Sequence, residues 1–291
     1  MDAAERIDRA LTETIREHAS PSCPPGLAAA VQHAVFPGGA RIRPQICLAV
    51  ADACGEDRRA VSDSAAAAIE LLHCASLVHD DLPCFDDSPL RRGRPSVHHA
   101  YGERLAVLAG DALIVLAFQA LARGGAEAPE RLVRLVGIIG ASCGLPDGIV
   151  AGQAWECEPE GDVTLADYQQ SKTGSLFAAA TIAGAAAAGA DPAPWRALGE
   201  RIGEAYQVVD DILDVAGDAE KLGKPLGQDE ARQRPSSARE LGLQGARQHF
   251  DKLMNGIIEE IPECPGAERL GKRIVAEARK FLPGRLAEDA A

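Results

Sequence analysis

Residues 69–87 read IELLHCASLVHDDLPCFDD, and this stretch decides the fold. Its first ten residues are an apolar run with helical periodicity. The run closes on Asp80, Asp81, Asp86 and Asp87. Four carboxylates within eight residues at the mouth of an apolar helix are costly without compensation, because partly buried charges need partners or metals. A second segment, 203–214, reads GEAYQVVDDILD and repeats the theme. Asp210 and Asp214 lie four residues apart and share one helix face, where like charges repel. A hard divalent cation held by oxygen ligands relieves that repulsion, and Mg²⁺ typically reaches carboxylates together with substrate phosphates. Alone, the first cluster reads equally well as a solvated acidic loop. Two clusters, each closing an apolar helical run, are hard to explain as coincidence.

Outward from these segments the pattern stays helical. Periodicity predicts helices over 2–19, 26–35, 43–54, 59–84, 103–123, 128–145, 164–171, 173–189, 193–217, 237–261 and 266–281, an all-α chain. Thr164 with Asp167 and Ser237 with Glu240 look like capping pairs at helix starts. The breakers include Pro37-Gly38-Gly39, Gly93-Arg94-Pro95 and Gly124-Gly125, and no alternating strand pattern stands out. Hydrophobic residues make up 46 % of the 291-residue chain and aromatics only 4 %, which suits helices packed closely through small side chains.

The formal net charge of −13 disfavours a nucleic-acid partner, since phosphate backbones need a basic face. An acidic protein can still bind anions when metals bridge the two. Basic residues do gather near Gly-rich turns: Arg41 and Arg43 after Gly38-Gly39, Arg91-Arg92 before Gly93, then Lys172, Lys224 and Arg234. Arg matches phosphate oxygens bidentately, so these form a candidate anion site, although Arg91-Arg92 taken alone is also compatible with a surface turn. The eight cysteines contain no CxxC pair and read as buried free thiols of a reducing compartment. The amphipathic, charged N-terminus is unlike a signal peptide. The most apolar stretch, Phe177 to Ala190, is short of the roughly 20 residues a membrane span needs. The expectation is a cytoplasmic protein with no membrane span.

The string Glu70…His73…Ser76-Leu-Val-His-Asp-Asp-Leu-Pro83…Asp86…Leu90-Arg-Arg-Gly-Arg-Pro95 resembles the first aspartate-rich region of the trans-polyprenyl diphosphate synthases, in its DDxxxxD form. Asp111, Gly152-Gln153, Lys172-Thr173-Gly174 and Tyr206-Gln207…Asp210-Asp211…Asp214…Lys224 follow in that family's order. The resemblance covers roughly residues 26 to 250. It implies a single-domain helical bundle over 1–291, built around a central hydrophobic cavity. It also implies Mg²⁺-dependent condensation of isopentenyl diphosphate with an allylic diphosphate (dimethylallyl, geranyl or farnesyl), usually by a homodimer.

Carried over, the resemblance implies three Mg²⁺ ions. Asp80 and Asp86 would hold two with Asp81 in support, and Asp210 the third with Asp211 and Asp214. Arg91 and Lys172 would contact the allylic diphosphate. Arg41, Arg43, His73 and Arg92 would contact isopentenyl diphosphate, and Lys224 and Arg234 are further substrate-binding candidates. Lys172, Thr173 and Gln207 would stabilise the allylic cation. Ala75, five residues before Asp80, stands where farnesyl-type enzymes of this group tend to carry an aromatic floor. With Ala there, Leu71, Leu72 and Phe118 become the next stops, which favours a C20 product over C15.

The chain departs from the family pattern in three places. The Gly-Gly-Lys-Arg turn reads Gly38-Gly39-Ala40-Arg41, the Lys-x-Thr-Tyr-Pro segment reads Arg234-Pro-Ser-Ser-Ala238, and Gly-Gln-x-x-Asp reads Gly152-Gln-Ala-Trp-Glu156. In the first two it resembles the carotenoid-pathway geranylgeranyl diphosphate synthases of purple photosynthetic bacteria. A terpene cyclase is disfavoured because its second metal motif is absent, and a non-catalytic subunit because both aspartate motifs are intact.

Overall fold

The computed structural model describes residues 2–18, 20–36, 38–159, 161–216 and 237–279. Thirteen α-helices occur among them: α1 Ala3–His18, α2 Pro25–Val35, α3 Ile42–Ala53, α4 Arg59–Asp80, α5 Val97–Tyr101, α6 Glu103–Gly124, α7 Pro129–Cys143, α8 Ile149–Ala154, α9 Leu165–Gln169, α10 Ser175–Ala187, α11 Arg196–Ala216, α12 Ser237–Glu259 and α13 Ala267–Arg279. The all-α expectation holds. Helix α4 stops at Asp80 rather than at 84, because Asp81 caps it and Pro83 cannot continue it. Thr164 caps α9 as expected, accepting from the Asp167 amide at 3.1 Å. The side chains of the Ser237–Glu240 pair lie outside the described residues.

Two helices, α5 and α8, have no counterpart in the predicted set, being too short to show periodicity. A hairpin is also new. Strands β1 Leu90–Arg91 and β2 Arg94–Pro95 pair antiparallel, with Leu90 opposite Pro95. Arg92 (φ 54°) and Gly93 (φ 72°) make the two-residue turn, the pairing of positive φ values that a type I′ hairpin requires. Between α9 and α10, Gln170–Gly174 forms a π-helical turn instead of a break.

Helix α4 packs along α6, α3, α10 and α7. Its Ala-rich face lets neighbours approach closely, and one apolar cluster gathers around Ala65, Ile69, Leu72, Leu113, Leu135 and Leu176. A second lies among α3, α10, α11, α12 and α13, around Val50, Phe177, Leu198, Ile212 and Phe250. Ile46 and Ile138 touch both. Both α4 and α6 are long and apolar enough to cross a membrane by composition, so Phe177–Ala190 is not the only apolar candidate. In α4, 78 % of that apolar window is buried inside the protein, against 44 % in α6. Val107, Leu108 and Val115 of α6 face outward. All eight cysteines are free, but only Cys47 and Cys74 are buried; Cys84 and Cys157 are exposed, and Cys23, Cys54, Cys143 and Cys264 are partly exposed.

Candidate active site

The loop after α4 folds back onto the helix end. The Asp86 amide donates to the Asp80 carbonyl (2.9 Å), and the Ser88 amide to that of Asp81 (3.1 Å). This holds Asp80 and Asp86 half-buried at one helix terminus while Asp81 is buried. The hairpin delivers Arg91 to Asp81, where its Nε lies 3.0 and 3.2 Å from the two carboxylate oxygens and its Nη2 also donates. Burial pushes the Asp81 carboxyl up, and the Arg91 bonds pull it back. Burial alone would lower the Arg91 guanidinium, but Asp81, Asp80 and Asp210 raise it. Arg91 is thus held against the first aspartate cluster and also feels the charge of Asp210.

On α11, Asp210 is half-buried, while Asp211 and Asp214 are buried. Asp211 accepts from Gln207 Nε2 at 2.9 Å, one helical turn earlier. Thr173 Oγ1 donates to Gln207 Oε1 at 3.1 Å. The two bonds fix the Gln207 amide with its oxygen toward Thr173. Lys172, beside Thr173 in the π-turn, places Nζ 3.4 Å from Asp80 Oδ1 and 2.5 Å from Glu156 Oε1. Thr173 and Gln207 are therefore joined to Asp211, while Lys172, next in the same turn, reaches Asp80. π-Turns of this kind recur at functional sites because they displace side chains from the regular helix register.

The basic set divides. Arg43 is buried, with its guanidinium 4.2 Å over the Phe177 ring and 5.6 Å from that of Tyr206. Its Nη1 lies 3.5 Å from His73 Nε2, and its Nε has no hydrogen-bond partner among the described residues. Burial pulls the Arg43 guanidinium down from its ordinary value. Burial also holds the His73 imidazole well below its ordinary value, as do Arg43, Arg92, Arg91 and Arg41 around it. His73 is therefore a neutral hydrogen-bonding group in a ring of cations.

Arg41 lies near these groups but its guanidinium is taken up by a buried partner. Its guanidinium donates to Glu70 Oε1 at 2.5 Å and to the Val35 carbonyl at 2.7 Å, with Asp8 at 3.8 Å. Side chains of both Arg41 and Glu70 are almost fully buried (7 % and 2 % exposed). Arg41 sits at φ 52° and folds under the turn, where a Cβ on Gly38 would fall 2.1 Å from its Cζ. A Cβ on Gly39 would likewise lie 2.8 Å from Arg92 Nε. The two glycines are there because both guanidinium groups pass against the backbone. Arg41, Asp87 and Arg92 are the non-glycine residues at positive φ among the described residues, and all three stand in this site. Such strain costs about 1–3 kcal/mol per residue and persists where surrounding contacts enforce it.

Ala75 and Leu72 are buried in α4, and Phe118 of α6 packs partly buried against the same cluster. A cavity of about 740 Å³, counted to its open mouth, lies instead among α3, α10, α11, α12 and α13. Ala40 is at its edge, and Phe177 and Tyr206 separate it from Arg43. Lys224 and Arg234 lie outside the described residues. Glu156, Tyr168 and Glu70 are the site residues to which the sequence reading gave no role. Glu70 carried a signal: an ionisable group inside an apolar run needs a buried partner.

Residues 24–269 match the family model described as polyprenyl synthetase. The chain belongs to the polyprenyl synthetase family. Two curated relatives are named geranylgeranyl diphosphate synthase. The chain is 51 % identical to the one from Cereibacter sphaeroides, covering 97 % of this chain and 98 % of that one. It is 50 % identical to the one from Rhodobacter capsulatus, covering 97 % of each. Among solved structures, a Helicobacter pylori geranyltransferase complexed with magnesium and isoprenyl diphosphate superimposes with TM-score 0.83 at 31 % identity over 96 % of both chains. The resemblance stated from the motifs is thus the family found by comparison, and this polyprenyl synthetase is an all-α prenyltransferase.

Among the described residues no three metal-binding side chains form a closed cage. The donor set is carboxylate oxygens alone, which suits Mg²⁺, an ion that keeps waters and takes substrate phosphates as ligands. The half-buried Asp80, Asp86 and Asp210 fit that demand. The buried Asp81 and Asp211 are tied to Arg91 and Gln207 and brace their neighbours.

Proposed function

We propose that this polyprenyl synthetase joins isopentenyl diphosphate head-to-tail to allylic diphosphates and releases geranylgeranyl diphosphate, C20. One observation supports the chemistry above others. Lys172 and Arg91 stand as cations against the first aspartate cluster, and Arg91 also feels Asp210 of the second. The C20 product is supported by the names of relatives half-identical over nearly the whole chain.

In this reading Asp80, Asp86 and Asp210 hold three Mg²⁺ ions, with Asp81, Asp211 and Asp214 behind them. Bound Mg²⁺ supplies Lewis-acid neutralisation of diphosphate oxygens, which makes diphosphate a leaving group. Lys172 and Arg91 bind the allylic diphosphate. As its C–O bond breaks, the fixed Gln207 amide oxygen and the Thr173 hydroxyl oxygen face the allylic cation with dipoles that need no reorganisation. Arg43, Arg92 and neutral His73 hold isopentenyl diphosphate, and Lys224 and Arg234 are further substrate-binding candidates. The isopentenyl double bond attacks the allylic carbon, the new C–C bond forms, and the released diphosphate takes the C2 proton. No protein nucleophile is required. Arg41 acts through Glu70, holding the Gly38-Gly39 turn, rather than by touching substrate.

The growing chain runs along α4 past Ala75 toward Leu72 and Phe118. The whole of 1–291 acts as one domain, since Ile46 and Ile138 join the two apolar clusters. The outward Val107, Leu108 and Val115 of α6, with Val133 and Val136 of α7, meet a second copy rather than lipid. The free thiols suit a reducing compartment, and the chain works in the cytoplasm. Incubating the purified chain with labelled isopentenyl diphosphate and each allylic primer tests the proposal. C20 alcohol after dephosphorylation supports it, and absence of incorporation overturns it.

A further inference from the structure

We propose that Glu156 is the positioning residue for Lys172, holding its ammonium over the first aspartate cluster and keeping it from closing onto Asp80. The proposal rests on the prenyltransferase reading above. Glu156 is itself fixed from three places. Lys172 Nζ donates to Oε1 at 2.5 Å, Tyr168 Oη donates to the same oxygen at 2.5 Å, and Gln153 Nε2 donates to Oε2 at 3.0 Å. The donors come from the π-turn, α9 and α8, so the carboxylate ties three short elements together.

The backbone explains how it reaches. A Cβ on Gly152 would fall 2.4 Å from the Lys172 nitrogen, so only glycine lets α8 lie against the π-turn. Glu156 follows in the short 3₁₀ turn Trp155–Cys157 that continues α8. Both side chains are mostly shielded (20 % and 21 % exposed), where charges are felt more strongly than in open water.

The ammonium thus lies between two carboxylates, nearer to Glu156 (2.5 Å) than to Asp80 (3.4 Å). Without the Glu156 charge, Asp80 is the carboxylate left to attract it. Lys172 would then neutralise a group the metal needs and withdraw from the allylic diphosphate. Isopentenyl diphosphate binding, through Arg43, Arg92 and His73, would be untouched.

Glu156→Gln keeps an oxygen acceptor for Tyr168 and removes the charge. It should raise both the allylic KM and the Mg²⁺ concentration for half-maximal rate about tenfold, the usual scale of one charge-assisted contact. The isopentenyl KM should stay within twofold of wild type. Glu156→Asp, shorter by one methylene but still charged, should recover most of the loss, and Tyr168→Phe should cost less than Glu156→Gln. Calorimetric titration of the chain with Mg²⁺ and inorganic diphosphate should show about tenfold weaker binding in Glu156→Gln, independently of turnover. Thermal melting separates these effects from misfolding, and Tyr168→Phe carries the test if Glu156→Gln melts early. A Glu156→Gln enzyme with unchanged allylic KM and Mg²⁺ requirement overturns the proposal, whatever its kcat. A wild-type chain that forms no prenyl product overturns the prenyltransferase reading instead, while the diphosphate titration still reports on Glu156.

Discussion

Replacing Ala75 by Tyr should shorten the product from C20 to C15. Helix α4 rises about 1.5 Å per residue, so Ala75 lies about 7.5 Å along its axis from Asp80, and Leu72 about 12 Å. Moving the floor of the chain path from position 75 to 72 or 71 therefore adds about 4.5–6 Å, close to one isoprene unit. Ala75 is 2 % exposed and sits in a closely packed cluster with Leu72 and Phe118. A tyrosine ring there meets tight packing and should cost about 1–3 kcal/mol of stability, visible as a lowered melting temperature without loss of fold. The assay is product chromatography after dephosphorylation, with isopentenyl diphosphate in excess and geranyl or farnesyl diphosphate as primer. Ala75→Tyr should accumulate farnesyl diphosphate and turn over geranyl primer at a rate comparable to wild type. An Ala75→Tyr enzyme that is folded, active and still delivers C20 would refute the path along α4, since no C20 chain passes a filled position 75.

Asp80→Ala and Asp210→Ala should each lower kcat by orders of magnitude with little change in melting temperature, and chelator should abolish turnover of wild type; near-full activity in chelator contradicts the metal assignment. Asp81→Ala differs, because it strips a buried partner from Arg91, so it should also destabilise the fold by roughly 1–3 kcal/mol in a denaturant titration. Arg43→Ala should raise the isopentenyl KM about tenfold or more, with a smaller effect on the allylic KM. Arg41→Ala leaves Glu70 buried and unpaired and should cost about 3–5 kcal/mol of stability; a wild-type denaturation midpoint combined with a raised isopentenyl KM would return Arg41 to the substrate. For His73 the folded imidazole titrates below its ordinary value, so the unfolded chain binds the extra proton first. Its contribution is complete above about pH 6.5 and is lost as pH falls below that. His73→Asn should flatten the stability profile on that acid side, as followed by thermal melts.

The acid-ended helix was legible because its signal is local: an apolar run, then four carboxylates. The same holds for the Thr164 cap. The two aspartate clusters could be paired from sequence because each carries an unbalanced charge that asks for a cation. The roles of Arg41 and Arg43 could not be separated. They stand two residues apart in the same motif, and only a left-handed backbone at Arg41, with Glu70 twenty-nine residues away, sends its guanidinium to a buried carboxylate while Arg43 stacks on Phe177. The turn at Gly93 was legible, but the hairpin was hidden because two-residue strands are too short to alternate. A π-turn leaves no mark in composition, so 164–171 and 173–189 read as two ordinary helices meeting at Lys172. Glu156 read only as a departure from the family's Asp because its significance lies in Lys172 and Tyr168, which reach it only once α8 packs against the π-turn on Gly152. The cavity beside Ala40 is built from helices spread across much of the chain, an arrangement no local pattern encodes.

The most direct test of the central claim is a single-enzyme product assay. The purified chain is given Mg²⁺, farnesyl diphosphate and excess labelled isopentenyl diphosphate, and the dephosphorylated product is sized by chromatography. One dominant labelled C20 alcohol, geranylgeraniol, is expected, and its formation should stop when chelator is added. Label remaining entirely in isopentenyl diphosphate, or product formed equally well in chelator, would contradict it.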